Sequence, residues 1–283
     1  MNQDILKTIG NTPLIKIQNI NIKLETTNLT GSVKDRIAHY ILMQAQKRGE
    51  LRGAKEIIEV TSGNTGISFA MFSAIMGYKF TAVMPKSMSL ARRKIMKAYG
   101  ANLILTPAKD DMLGAVKEYE KIIKNRKNIF LPRQFSNEDN IIAHEKFLGQ
   151  EIIKQMKNKV DIFVAGAGTG GTLIGVARAL RKINPFVKII AIEPKEINHH
   201  GIQGIGEGFI PDILKRNLFM IDEIITIKTS EAIKMQKTLA QKYGILVGIS
   251  SGANFLGALK LQKKYGQIKK IVTLFSDRGE KYL

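Results

Sequence analysis

The chain has 283 residues, of which 44% are hydrophobic, and its 44 Lys and Arg against 24 Asp and Glu give a formal net charge of +20. It is long enough for one large or two modest globular units with their own cores, and no apolar run is long enough to span a bilayer. There is no cysteine, which excludes disulfides, thiolate metal sites and a cysteine nucleophile.

The opening stretch, "MNQDILKTIGNTPLIKI" (1–17), has no basic region leading into an apolar run, so a cytosolic location is expected. Apolar, β-branched runs bounded by turn residues then recur as "EIIEVTS", "FTAVMPK", "NLILTP", "DIFVAGAG", "KIIAIEP", "EIITIK" and "KIVTLFSD". Between them lie amphipathic helical patterns, "SVKDRIAHYILMQAQKRG", "MSLARRKIMKAYG", "MLGAVKEYEKIIKN" and "TLIGVARALRKI". Strand–helix alternation of this kind predicts an α/β fold with mostly parallel sheets covered on both faces. The polar, turn-rich "RQFSNEDN" (133–140) marks a change of unit, with two closely packed parts and a cleft between them.

The positive charge raises the possibility of nucleic-acid binding. The dense basic stretches, "ARRKIMKAYG", "KIIKNRKN" and "LQKKYGQIKK", fall on helix faces and loops, and no nucleic-acid signature accompanies them. A solvated lysine-rich surface that attracts small anions is the better reading. Of the four histidines, His39, His144, His199 and His200, none has HExxH spacing. The adjacent His199 and His200 can ligate a metal, but neighbouring loop histidines are more often plain surface, and no metal site is expected.

Three stretches carry candidate chemistry. In "TNLTGSVKDRIAHYIL" a turn runs directly into a helix, with Lys34 in its first turn. The positive end of the helix dipole disfavours an ammonium there, which suits an amine kept for Schiff-base chemistry; the alternative is an ordinary exposed lysine. In "EVTSGNTGISFAM" a strand ends in Thr61, Ser62, Gly63, Asn64, Thr65 and Gly66 before a helix. Backbone amides and three hydroxyls can surround a carboxylate there, and six small polar residues exceed what capping alone needs. In "VAGAGTGGTLIGV", Gly166, Gly168, Thr169, Gly170, Gly171 and Thr172 form a loop between strand and helix that can close on a phosphate. The same loop reads as G-x-G-x-x-G, and Glu193, at the end of the next strand, stands where a dinucleotide site places its acid. Spacing alone leaves the dinucleotide reading open.

These stretches, in this order, resemble the β-replacement branch of the pyridoxal-phosphate enzymes of fold type II, cysteine synthase and its cystathionine β-synthase relatives. The likeness runs from "IGNTPLIKI" through "KLE", "TGSVKDR", "TSGNTGI", "QFSN", "HEK", "VAGAGTGGTLIGV", "IEP", "IQGIGEGFIP" and "GILVGISSGAN" to "SDRGEKYL". It implies two packed α/β domains of the tryptophan synthase β type with the active site between them: a smaller, mobile one over 36–140, and a larger one from 1–35 plus 141–283 that carries the phosphate loop. It implies pyridoxal 5'-phosphate as cofactor, held as an internal aldimine on Lys34, with its phosphate on Gly168, Thr169, Gly170, Gly171 and Thr172. Asn64 is expected on the ring hydroxyl. The ring nitrogen is expected against a neutral hydroxyl, first Ser250 and second Ser276. Thr61, Ser62, Gly63, Asn64, Thr65, Gln134 and Gly204 are expected around the amino-acid substrate.

The activity implied is formation of L-cysteine from O-acetyl-L-serine, or O-phosphoserine, and sulfide through an aminoacrylate. The alternatives are a cysteine desulfhydrase that releases hydrogen sulfide with serine or lanthionine, and a cystathionine β-synthase-like activity. The family also implies a homodimer, with the C-terminal tail of serine acetyltransferase as a partner and neither nucleic acid nor membrane. The sequence departs from the family in a shortened loop between "LIKIQN" and "INIKLE", a short segment after "IEP", Phe147-Leu148 in place of two threonines, and an early stop at "KYL". Glu207 stands where many relatives have a small residue and is a candidate catalytic carboxylate for cysteine breakdown. Gln203 is neutral where users of phosphoserine carry arginine, which favours the acetyl ester.

Overall fold

Two sheets organise the chain, and the computed structural model describes residues 3–196, 200–206 and 208–283. After a short helix α1 (Gln3–Leu6), strands β1 (Leu14–Ile17) and β2 (Ile20–Leu24) form an antiparallel hairpin. Its turn residues, Gln18 and Asn19, both have positive φ, which matches the right-handed twist of the flanking strands. Helix α2 (Lys34–Arg48) leads into β3 (Glu56–Val60), α3 (Asn64–Met76), β4 (Lys79–Pro85), α4 (Leu90–Ala98), β5 (Asn102–Thr106), α5 (Asp111–Lys124) and β6 (Ile129–Phe130). These strands make a parallel sheet in the order β5-β4-β3-β6.

Helix α6 (Glu138–Ala143) continues through a π-helical stretch (His144–Gly149) into α7 (Gln150–Gln155). Then come β7 (Ile162–Gly166), α8 (Gly171–Arg181), β8 (Lys188–Pro194), α9 (Asp212–Asn217), β9 (Glu223–Ile227), α10 (Thr229–Tyr243), α11 (Ile249–Tyr265) and β10 (Ile271–Phe275). The second sheet runs β1-β2-β10-β7-β8-β9, parallel except for the β1–β2 pair. All seven apolar runs read from the sequence are strands. The β1–β2 hairpin and the two-residue β6 are additional: β1 and β6 are short edge strands, and β2, though interior, interrupts its isoleucines with Asn21 and Lys23, so none shows an unbroken apolar run.

Each sheet is covered on both faces. One cluster around the smaller sheet joins Ile37 and Ile41 of α2 to Phe69 of α3 and Phe80 of β4, and another joins Ile58 and Val83 to Met112 and Tyr119 of α5. The larger sheet packs Phe163 and Val272 against Leu173 and Ile174 of α8 on one side, and Val164 and Phe275 against Phe255 of α11 on the other. Burial on both faces explains why the strands read as unbroken apolar runs. In each sheet one strand stands where the order of neighbours diverges: β3 lies between β4 and β6, and β7 between β10 and β8. Loops leaving the carboxyl ends of such strands open into a crevice, the usual ligand position in α/β sheets. The loops after β3 and β7 are the two small-residue stretches singled out above.

Candidate active site

Lys34 begins α2, and its turn is fixed from both sides. The Val33 amide donates to the Ser276 carbonyl at 2.9 Å, just beyond β10, and Ser32 makes a β-bridge to Asp277. Asp35, the next residue, is fully buried and accepts from the Thr30 amide (2.7 Å), the Thr30 hydroxyl (2.5 Å) and the Ser68 hydroxyl of α3 (2.6 Å). Burial pushes its carboxyl above the usual range, against the pull of those hydrogen bonds. The Lys34 side chain lines an inner recess with Asn64, Gly168, Thr169, Gly170, Thr172, Ser250 and Ser276.

The loop after β3 is shaped by Thr61. Its buried hydroxyl accepts the amides of Gly63 (3.0 Å) and Gly66 (3.1 Å), so this side chain holds the turn from behind rather than facing the recess. Asn64 opens α3 with both ends of its carboxamide engaged, donating to Asp277 at 2.7 Å and accepting from Lys281 at 3.0 Å. Thr65 donates to the Gln134 side-chain oxygen at 2.7 Å, and the Gln134 nitrogen donates to the Val60 carbonyl at 2.7 Å. Ser62, Asn64, Thr65, Gln134 and Gly204 share a second recess with Lys34. Outside it lies a wider cavity of about 450 Å³, bordered by Ser62, Met88, Asp110, Asp111, Gln203 and Gly204.

The loop after β7 runs from Gly166 into α8. A Cβ built at Gly168 collides with the Gly204 carbonyl, and one at Gly171 collides with the Asn140 carboxamide. The loop is therefore packed from outside against backbone and Asn140. The amides of Gly168, Thr169 and Gly170 have no protein acceptor among the described residues. Together with the dipole of the 11-residue α8 they form a cradle for one anionic group. Asn140 donates to the Thr169 hydroxyl at 3.1 Å, and Thr172 pairs with Nε2 of His144 at 3.1 Å. Burial, and secondarily the charges of Lys34 and Arg36, hold His144 well below the usual imidazole range, so it is neutral at pH 7.

The sequence candidates Lys34, Ser62, Asn64, Thr65, Gln134, Gly168, Thr169, Gly170, Thr172, Gly204, Ser250 and Ser276 line these connected recesses. Gly171 starts α8 directly beside them, and Gly63 and Thr61 lie behind the loop. Glu207 and His199 fall outside the described residues. Sequence reasoning passed over Arg92, Asn140, His144 and Lys281. Arg92 lies in an amphipathic pattern with a second arginine beside it, and nothing local marks which of the two faces inward.

An amine at a helix start, a phosphate cradle and a carboxylate-sized nest of amides and hydroxyls thus meet in one cleft. The arrangement fits pyridoxal phosphate: the cradle matches a single phosphate, and Lys34, Ser250 and Ser276 line the same recess. A model of the pyridoxal-phosphate dependent enzymes matches residues 5–277. A cysteine synthase of Staphylococcus aureus is 41% identical over 297 aligned positions, covering 99% of this chain and 95% of that protein. A hydrogen sulfide-producing enzyme of Fusobacterium nucleatum superposes with a TM-score of 0.94 at 40% identity, covering 100% of both chains. A cysteine synthase of Entamoeba histolytica superposes with a TM-score of 0.92 at 43% identity, covering 100% of this chain and 89% of that one. These matches place the chain with pyridoxal-phosphate enzymes rather than dinucleotide-binding ones: the chain belongs to the pyridoxal-phosphate dependent enzymes.

Proposed function

We propose that this protein is a β-replacement enzyme that makes L-cysteine from an O-activated serine and sulfide, with O-acetyl-L-serine as the favoured donor and O-phosphoserine as the other. The observation that carries this reading is the convergence of Lys34, the Gly168–Thr172 loop and the Asn64–Thr65–Gln134 cluster in one cleft, in a chain similar over its length to cysteine synthases. Bound pyridoxal phosphate supplies the electron sink for the α-carbon. Lys34 holds the cofactor, and its Nζ takes the α-proton of the substrate and later returns it. Gly168, Thr169, Gly170, Gly171 and Thr172 hold the phosphate. Asn64 has one N–H left beyond Asp277 for the ring hydroxyl.

Ser250 is the residue assigned to the ring nitrogen. The neighbouring Ser251 hydroxyl already accepts the Ser276 amide at 2.9 Å, while Ser250 lines the recess. A neutral hydroxyl there disfavours a protonated ring and so favours loss of the β-substituent over transamination. Ser62, Thr65 and Gln134 receive the substrate carboxylate, with Thr61 and Gly63 shaping their loop. The outer cavity admits the second substrate. The smaller sheet with its helices, over 36–140, is the part that moves on closure. The protein works as a cytoplasmic homodimer, and the outer cavity is where a serine acetyltransferase tail docks.

Cysteine breakdown with sulfide release is a second reading, supported by the similarity to the Fusobacterium nucleatum enzyme, and Glu207 is its candidate carboxylate. The test is cysteine formation from O-acetylserine and sulfide, run beside sulfide release from cysteine. The proposal expects an absorption band of bound cofactor that Lys34→Ala alters, and faster synthesis than breakdown. Sulfide release from cysteine without net synthesis overturns it.

A further inference from the structure

The carboxylate nest read from the sequence is neutral, made of hydroxyls, amides and a carboxamide. The structure adds a cation. Arg92 of α4 is only 2% exposed and lines the same recess as Lys34, Ser62, Thr65 and Gln134. Its terminal nitrogen donates to the Ser62 carbonyl at 3.1 Å and to the Gln203 side-chain oxygen at 2.5 Å. Its guanidinium lies 4.5 Å from the centre of the Tyr282 ring. Its Nε is buried and has no acceptor among the described residues.

No carboxylate of the described residues lies within ion-pair distance of Arg92. Asp277, which bonds to the Tyr282 hydroxyl at 2.7 Å, is turned to that group and to Asn64. An arginine this buried is ordinarily paired, because a guanidinium stripped of water and counter-ion is strongly unfavourable. Two carbonyl-type dipoles and an aromatic face offset only part of that penalty. No described side chain supplies the remaining counter-ion. Among the anionic groups that belong in the cleft, the cofactor phosphate has its own cradle on α8, whereas Arg92 is tied through Ser62 to the nest after β3.

We infer that Arg92 is the counter-charge for the α-carboxylate of the amino-acid substrate, and that it sets the preference of the site for amino acids over uncharged analogues. The inference rests on reading the cleft as an amino-acid site. It also revises what the neutral Gln203 implied about the entrance, since Gln203 sits directly on a buried cation.

The test is a titration of the holoenzyme with L-serine and with L-serinamide, followed through the absorption of the bound cofactor, in the wild type, Arg92→Gln and Arg92→Lys. Loss of the charge is expected to weaken serine by about 10- to 100-fold, the range of a hydrogen bond to a charged group, and to leave serinamide nearly unchanged. Arg92→Lys, which keeps the charge, is expected to recover most of the discrimination. If Arg92→Gln does not fold, Arg92→Met repeats the measurement, because its alkyl stem still packs on Tyr282. Equal weakening of both ligands makes Arg92 a structural strut and overturns the inference. A wild type that binds serinamide but not serine overturns it as well. A wild type that responds to neither ligand, nor to O-acetylserine, overturns the amino-acid reading of the cleft itself.

Discussion

Replacing Arg36 with Met strips the counter-ion from a carboxylate that has no water to turn to. Arg36 holds Glu25 through two parallel bonds of 2.6 and 2.8 Å, with the two side chains 1% and 0% exposed. It also reaches Glu151 at 2.7 and 2.9 Å, and Glu151 in turn pairs with the buried Lys23 at 2.6 Å. Burial alone pushes the Glu25 carboxyl up, and the Arg36 charge and bonds more than reverse it, leaving it below its usual range. Breaking such a pair from one side costs about 3–5 kcal/mol, a large share of a typical stability of about 5–15 kcal/mol. For a domain of this size that lowers Tm by roughly 10 °C. The double variant Glu25→Leu/Arg36→Met removes both charges and leaves Lys23 and Glu151 balanced, so most of the loss is expected to return. Thermal and urea unfolding of the four proteins at pH 7 form the cycle. An Arg36→Met protein as stable as wild type, or a double variant worse than the sum of the single ones, would refute the assignment of a buried, mutually compensated network. Arg36 stands two residues beyond Lys34 on α2, so the same loss of anchoring is expected to reach Lys34.

Gly168→Ala places a Cβ against the Gly204 carbonyl, a backbone atom that cannot swing aside. Overpacking of about 1–3 kcal/mol lowers cofactor affinity by about 10- to 100-fold; equilibrium titration of the apoprotein with pyridoxal phosphate measures it, and unchanged affinity removes the cradle from the phosphate. Glu59, fully buried on β3, accepts the amides of Val60 at 2.9 Å and Gln134 at 3.0 Å, and burial pushes its carboxyl up to about 8. The folded protein then keeps a proton that the unfolded chain releases near its ordinary 4.5. Stability therefore falls as pH rises between those values, and Glu59→Gln flattens that limb of the urea midpoints; an unaltered slope contradicts it. Glu151 acts in the opposite sense. Its carboxyl, pushed up by burial but drawn down to about 2 by Arg36 and Lys23, contributes stability that is lost as pH falls from about 4.5 toward 2. Glu151→Gln should blunt acid unfolding in that window.

The alternation of apolar runs and amphipathic helices was enough to give an α/β fold, because burial on both faces writes itself into consecutive residues. The small-residue loops were legible for a related reason. Close approach to a ligand or to backbone favours small residues, so "TSGNTG" and "GAGTGG" stand out without any knowledge of their neighbours. The helix start expected at Lys34 is where α2 begins. What the local pattern does not encode is the partner across the cleft. Asn64 meets Lys281 and Asp277 from the far end of the chain, and Thr61 turns out to brace its own loop from behind. The nicotinamide reading survived on spacing for the same reason, since a glycine loop and a distant acid are common to several phosphate sites. The residues by themselves determined the sheets and set apart the two small-residue loops and Lys34. Only the tertiary structure decided which of two adjacent arginines is buried beside the loop after β3, which acids and bases neutralise each other in the core, and that Ser250 and Ser276 line one recess. Those choices depend on desolvation and on contacts between distant segments, which exist only once the two sheets have packed.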